Sequence, residues 1–171
     1  MFRSLFAVLV LSSLATVSFA DDHSKTCAEA SIKKLGYVTS DCTRISGDGQ
    51  QRCSVASIER NGYVTSDCFR VTAGGRCSAA SIERNGYVTS DCFRIETSGA
   101  DRCAKASIEK NGYVTSDCFR ITEGGRCAVA SLAKNGYVTS DCFRIANKVQ
   151  DSCAKASIET NGYVASDCFR L

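Results

Sequence analysis

Residues 53–71 read CSVASIERNGYVTSDCFRV, and closely similar stretches begin at Cys27, Cys77, Cys103, Cys127 and Cys153. The chain therefore contains six copies of one unit, and each copy has fourteen residues between its two cysteines. Successive first cysteines are separated by 26, 24, 26, 24 and 26 positions. Self-similarity at a fixed period is typical of repeat proteins, in which neighbouring units stack and share one core.

The boundaries of the six units follow from the first cysteine of each copy. The units span residues 27–52, 53–76, 77–102, 103–126, 127–152 and 153–171. The two extra residues of the longer periods always lie in the connector between one unit and the next. This alternation also allows a division into three double repeats, the third of them shortened.

The segment between the two cysteines predicts a short helix followed by a strand. Residues 54–60 and their counterparts are rich in residues with high helix propensity. Gly62 then occupies a position typical of a left-handed helix end, which makes Ile58 and Tyr63 the hydrophobic pair of that end. Residues 63–71 carry β-branched and aromatic side chains and are predicted as a strand. Stacked units of this kind form an α/β solenoid-like array of six disulfide-closed helix–strand units.

The same segment also fits an all-β alternative, with six disulfide-closed hairpins. Asn61 and Gly62 would form the two-residue turn, and small or apolar residues alternate at positions 54, 56 and 58. The first unit has Leu35 in place of asparagine, and leucine disfavours the positive φ that such a turn requires. This departure favours the helix–strand unit, and the hairpin stays open as the alternative.

The twelve cysteines predict a disulfide scaffold. The single histidine, His23, lies outside the repeats, and the spacing of zinc-binding cysteines is missing. The span within each cysteine pair is constant while the connectors vary, and a disulfide accepts only a narrow range of Cα separations. We therefore predict the bridges Cys27–Cys42, Cys53–Cys68, Cys77–Cys92, Cys103–Cys118, Cys127–Cys142 and Cys153–Cys168.

Residues 1–20 have the features of a secretory signal peptide. Arg3 precedes an apolar stretch, and Ser18-Phe19-Ala20 provides the small residues that signal peptidase requires. Residues 21–26 are then a short lead-in to the first repeat. The apolar stretch is too short to cross a bilayer, so we expect no membrane span. With the cysteine content, these features predict a secreted protein, extracellular or periplasmic.

The sequence offers no group of residues typical of a catalytic site. Ser-His-Asp and Cys-His arrangements need a histidine within the fold, and no glycine-rich phosphate-binding motif occurs. We therefore predict no enzyme activity, no catalytic residues, and neither a cofactor nor a metal. The formal net charge of +3 is too balanced to indicate a nucleic-acid partner.

The candidate binding residues are the tyrosine, aspartate and arginine that recur in each unit. On stacked strands they would form parallel rows able to contact a protein or glycan surface. In the four central units they are Tyr63, Asp67, Arg70, Tyr87, Asp91, Arg94, Tyr113, Asp117, Arg120, Tyr137, Asp141 and Arg144. We predict a secreted, non-enzymatic protein with an extracellular or cell-envelope role in binding or structure. The alternative is a secreted defence or effector protein: lectin-like, an inhibitor or a toxin.

Overall fold

A computed structural model of the chain describes residues 22–171; the predicted signal peptide, residues 1–20, lies outside the described residues. In this part of the chain, long α-helices alternate with short 3₁₀ helices. The α-helices are α1 Asp22–Leu35, α2 Asp48–Asn61, α3 Gly75–Asn85, α4 Ser98–Asn111, α5 Gly125–Asn135 and α6 Lys148–Asn161. The 3₁₀ helices are η1 Ser40–Arg44, η2 Ser66–Arg70, η3 Ser90–Arg94, η4 Ser116–Arg120, η5 Ser140–Arg144 and η6 Ser166–Arg170.

Residues 22–171 contain no β-strand, so the predicted α/β array and the all-β alternative are both wrong. The hydroxyl of Ser57 explains why residues 63–65 do not pair as a strand. It donates to the carbonyl oxygen of Tyr63 at 2.7 Å and accepts from the amide of Thr65 at 3.0 Å. The equivalent serine makes the same two bonds in all six units. Backbone groups that a sheet would need are thereby paired within the unit.

The rest of the predicted strand turns into η2 and its counterparts. The amide of Cys68 donates to the carbonyl oxygen of Thr65 at 3.0 Å, and the amide of Val71 donates to that of Cys68 at 3.2 Å. Such bonds between residues three apart define a 3₁₀ turn. The chain thus reverses tightly at the second cysteine instead of extending away from it.

Each cysteine pair joins the α-helix of a unit to its own 3₁₀ helix. The six bridges are the pairs that the constant spacing predicts, with Cα–Cα separations of 5.3 to 5.5 Å. The units are therefore closed covalently, as expected, but around a helix–3₁₀ pair. A closed loop of this size contributes about 3 kcal/mol in the chain-entropy model.

The helices stack side by side in chain order, and each one packs against the next. One continuous core runs between them and includes the cystines. Its largest fully buried aliphatic side chains recur at two positions of the repeat: Ile58, Ile82, Ile108, Leu132 and Ile158 on the helices, and Val71, Ile95 and Ile121 after the 3₁₀ helices. None of the helices between residues 22 and 171 has the length and apolar character needed to cross a membrane.

The helix ends confirm one prediction and correct another. Gly62 has a φ of 81°, and its amide donates to the carbonyl oxygen of Ile58, so the predicted left-handed glycine at the helix end is confirmed. The helix itself starts earlier than predicted, at Asp48 rather than after Cys53. In α2, α4 and α6 the residues before the first cysteine, including the two extra ones, form an additional N-terminal turn.

The first unit shows what stacking does to the repeated positions. Ile32 is 53% exposed, whereas its counterpart Ile58 in the second unit is fully buried. Ile158, at this position in the last unit, is also fully buried, so the covering side chains come from the side of the preceding unit. In the described residues no unit precedes α1. The first unit also has Thr43 where the other five have phenylalanine.

Candidate functional site

The structure separates the predicted binding residues into two groups. The tyrosines follow the left-handed glycines and stand out from the array. All six are 59 to 62% exposed: Tyr37, Tyr63, Tyr87, Tyr113, Tyr137 and Tyr163. They form a row of exposed aromatic side chains, one per unit, and we call this set the tyrosine row.

The aspartates and arginines of the predicted set are largely engaged with the protein itself. Arg70 lies 3.6 Å from Asp67 in the same 3₁₀ helix, and its guanidinium stacks on the ring of Phe93 in the next unit. Four more stacks, with guanidinium-to-centroid distances of 4.1 to 4.5 Å, join the remaining neighbours: Arg44 on Phe69, Arg94 on Phe119, Arg120 on Phe143 and Arg144 on Phe169. These arginines therefore connect units to one another.

A different set of side chains lines a groove across the helices of the described chain. The groove has a volume of about 600 Å³ and crosses the helices α1 to α5. Its floor consists of small apolar side chains on successive helices, among them Val55, Ala79, Ala106 and Val129. We call this feature the helix groove.

One wall of the helix groove is basic. Arg52, Arg76 and Arg102 line it, and each directly precedes the first cysteine of its unit. Arg126 occupies the same position in the fifth unit. Arg76 is held by the buried carboxylate of Asp101 at 3.4 Å. The Nε atom of Arg102 is buried and has no hydrogen-bond partner within residues 22–171.

The opposite wall is acidic. Glu59, Glu83 and Glu109 line it, each six residues after the first cysteine of its unit. A glutamate therefore follows the arginine of the same helix by seven residues, or about 10 Å along the helix axis. The helix groove thus has rows of opposite charge on its two sides. The floor between them is apolar except in α4, where Lys105 lines it.

Asp101 shows how neighbouring units fix the start of the groove helices. It accepts hydrogen bonds from the amides of Cys77 at 2.9 Å and Arg76 at 3.3 Å, at the first turn of α3. Asp151 does the same for Arg126 and Cys127 at the start of α5. Burial raises the pKa of the Asp101 carboxyl, and the hydrogen bonds from Cys77 and Arg76 offset only part of this effect.

The chemistry available at these surfaces is charge pairing, hydrogen bonding and apolar contact. His23 hydrogen-bonds with Gln51 at the N-terminal end of the array. All twelve cysteines are in disulfides. Between residues 22 and 171, no group of three or more His, Cys, Asp or Glu side chains is placed to hold a metal ion.

The sequence does not reveal the helix groove as long as each helix is taken to begin after its first cysteine. Arg52 and its counterparts were thereby assigned to connectors, although the helix already includes them. Had the helix been extended by one turn, positions 52, 55, 56 and 59 would have fallen on one face. No family model, curated protein or solved structure matches the chain. By its own geometry, the described part of the chain is a disulfide-rich array of helical repeats.

Proposed function

We propose that the chain is a secreted, non-enzymatic binding protein that holds its partner in the helix groove. The observation that carries this proposal is the alignment of equivalent repeat positions along the groove. Equivalent positions of consecutive repeats bring an arginine row, a glutamate row and, between them, a floor of small apolar side chains that includes one lysine, Lys105, onto one surface. A binding site repeated in this way suits a partner that extends across several units.

The disulfides support this role in two ways. Twelve paired cysteines fit an oxidising compartment outside the cytosol. Each bridge also fixes its helix against its 3₁₀ helix, so the groove residues lie on a preorganised scaffold. Less conformational entropy is then lost when a partner binds, which favours affinity.

Selection of ligands against the mature protein tests the proposal. A random peptide library displayed on phage should yield binders, and Ala106→Trp should abolish their binding because the indole fills the groove floor. Ala156→Trp is the matched control, since Ala156 has the same position in α6, is exposed and lies outside the groove residues. Binders that tolerate Ala106→Trp as well as Ala156→Trp would place the binding surface elsewhere.

A second candidate function, glycan binding in the manner of a lectin, rests on the tyrosine row. Exposed aromatic rings offer flat apolar faces to sugar rings, and six of them at one repeat position form an extended platform. A glycan array probed with the wild type and with a Tyr63→Ser, Tyr87→Ser, Tyr113→Ser variant tests this role. Glycan binding that the triple substitution removes would favour the lectin-like function over the groove.

A further inference from the structure

We propose that the occupant of the helix groove is an extended polypeptide in the polyproline II conformation, with an acidic and a basic residue in each group of three. This inference rests on the function proposed above and specifies its partner. It follows from the charge of the two walls, from the groups left unpaired in them, and from the distance between repeats.

The two walls select a partner that carries both charges. The arginine row attracts carboxylates, and the glutamate row, about 10 Å away on the same helices, repels them. A uniformly anionic polymer such as a nucleic acid or a sulfated polysaccharide would meet unfavourable charge along one wall. A polypeptide with acidic side chains on one edge and basic side chains on the other fits both walls.

Groups in both walls have unused bonding capacity. Arg102 lines the groove and forms no ion pair within residues 22–171, so its terminal nitrogens can receive an incoming carboxylate. Glu59 and Glu83 form no ion pair within residues 22–171, whereas Glu109 pairs with Lys105 at 2.8 Å. The centre of the groove therefore has a donor and two carboxylates available to a partner.

The repeat distance selects the backbone conformation of the partner. Packed helices lie about 8–10 Å apart, so equivalent side chains recur at this interval along the groove. Three residues of polyproline II advance about 9.3 Å, which keeps every third residue level with a new repeat. Two residues of a β-strand advance only about 6.7 Å and lose this register.

The width of the groove also disfavours a helical partner. An α-helix with its side chains is about 10–12 Å across, while the Cα atoms of the two walls are only about 10 Å apart. The arginine and glutamate side chains narrow this space further. A single extended chain can reach the alanine and valine floor, and its three edges then face the arginine row, the floor and the glutamate row.

Synthetic peptides of twelve residues test the inference. Four Glu-Pro-Lys triplets and four Lys-Pro-Glu triplets represent the two chain directions, and a peptide of the same composition with shuffled order is the control. We expect one triplet order to bind the mature protein at least about tenfold more tightly than the shuffled peptide, as measured by fluorescence anisotropy. The difference should shrink as salt rises from about 0.05 to 0.5 M.

Protein variants show whether this binding uses the groove. Arg102→Glu should weaken the preferred triplet peptide by about tenfold or more, because it replaces attraction by repulsion. Arg170→Glu, on the exposed last 3₁₀ helix, is the matched control and should leave binding unchanged. Circular dichroism and the disulfide map of both variants verify that they are folded.

The outcomes separate this inference from the function on which it rests. Equal binding of shuffled and triplet peptides would overturn the inference. Helical binders, or binders without a period of three, that are selected from the library and lost in Ala106→Trp would also overturn it, yet they would support the helix groove as a binding site. If Ala106→Trp affects no binder of any kind, both proposals fail.

Discussion

At the scale of single residues, some side chains form hydrogen bonds that cap a helix of the neighbouring unit. The first turn of α3 has no side-chain cap of its own, because its N-cap residue is Gly74. Asp101 from α4 supplies the missing acceptor, and Asp151 from α6 does so for α5. The free amides at a helix start are thus paired only when the next unit is in place. The starts of α3 and α5 are therefore completed by the unit that follows each of them.

Asp101 also predicts how stability changes with pH. Its folded-state pKa is raised above the ordinary value of 3.8, so the folded protein binds the proton more tightly than the unfolded chain. The stabilisation from this group is therefore fully present below about pH 3.8 and is lost as pH rises through the folded-state pKa. The free energy of unfolding of the wild type should fall over this window relative to that of Asp101→Asn, which has no carboxyl to titrate. Urea unfolding of both proteins from pH 3 to pH 7 measures the difference; a constant difference would contradict the prediction.

At the scale of elements, the long helices α2 and α4, of 14 residues, meet the short helices α3 and α5, of 11 residues, through glycines. A Cβ atom added to Gly99 in α4 would lie 2.1 Å from the carbonyl oxygen of Thr122, just before α5. Gly49 in α2 has the same relation to Thr72. The backbones therefore approach so closely that no side chain fits between them. This contact, between a glycine inside a helix and a carbonyl oxygen just before the next α-helix, is made where a long helix precedes a short one, from α2 to α3 and from α4 to α5. No described glycine inside a short helix makes it with the long helix that follows.

Gly99→Ala should consequently destabilise the protein by about 1–3 kcal/mol, because a backbone carbonyl cannot move aside as a side chain can. Val149 provides the control, since it occupies the same position in α6, where it is exposed and no further α-helix follows in the described chain. Val149→Ala should change the free energy of unfolding by less than about 0.5 kcal/mol. Urea unfolding with intact disulfides measures both variants. Equal losses of unfolding free energy at the two positions would show that the close backbone approach at Gly99 does not cause the destabilisation.

Some elements of the repeat unit could be predicted from the sequence, and others could not. The left-handed glycine and the closure of each unit by its own cysteines follow from local patterns, namely a glycine after a helix and a constant spacing. The strand prediction over residues 63–71 failed because its β-branched and aromatic side chains suit extended backbone, whereas the hydrogen bonds of Ser57 decide the path of the chain. The sequence pattern around a helical serine does not predict that its hydroxyl will hydrogen-bond to backbone groups six and eight positions later.

The sequence points to the tyrosine row but not to the helix groove, for a similar reason. The tyrosine row is exposed in every unit. A tyrosine that recurs at one position of every repeat can be identified as a candidate binding residue from the sequence alone. The arginines of the predicted set instead stack on phenylalanines one repeat away. That contact depends on how units stack, and a single unit contains no signal for it. The arginine and glutamate rows likewise become one surface only when several helices lie side by side.

At the scale of the whole molecule, the units are linked by a ladder of arginine and phenylalanine. Arg120 stacks on Phe143 at 4.1 Å and so joins the fourth unit to the fifth. Arg120→Met keeps the aliphatic stem but removes the cation, and it should lower the free energy of unfolding by about 0.5–1 kcal/mol. Arg170, at the same position in the last unit, stacks on no ring in the described residues. Arg170→Met should therefore have almost no effect in the same urea titration, and an equal loss would refute the ladder as a source of stability.

From α2 to α6, helices of 14 and 11 residues alternate, and this alternation predicts which shortened chains will fold. Deletion of residues 77–126 removes one double repeat and joins Arg76 to Cys127. The new connector matches the native one, so the fifth unit again follows a long helix and Asp151 still caps it. Deletion of residues 77–102 removes only one unit, but it also removes Asp101 and Gly99, and two short helices become neighbours.

The smaller deletion should therefore be the more harmful one. We expect the chain without residues 77–126 to unfold in one cooperative transition, with four intact disulfides and a higher melting temperature than the chain without residues 77–102. The number of units alone would predict the reverse, a higher melting temperature for the five-unit chain. An array with more repeats and the same interfaces between them is more stable. Thermal unfolding followed by circular dichroism, together with a non-reducing disulfide map, measures it. A higher melting temperature for the five-unit chain would show that the single repeat, and not the double repeat, is the unit that stacks.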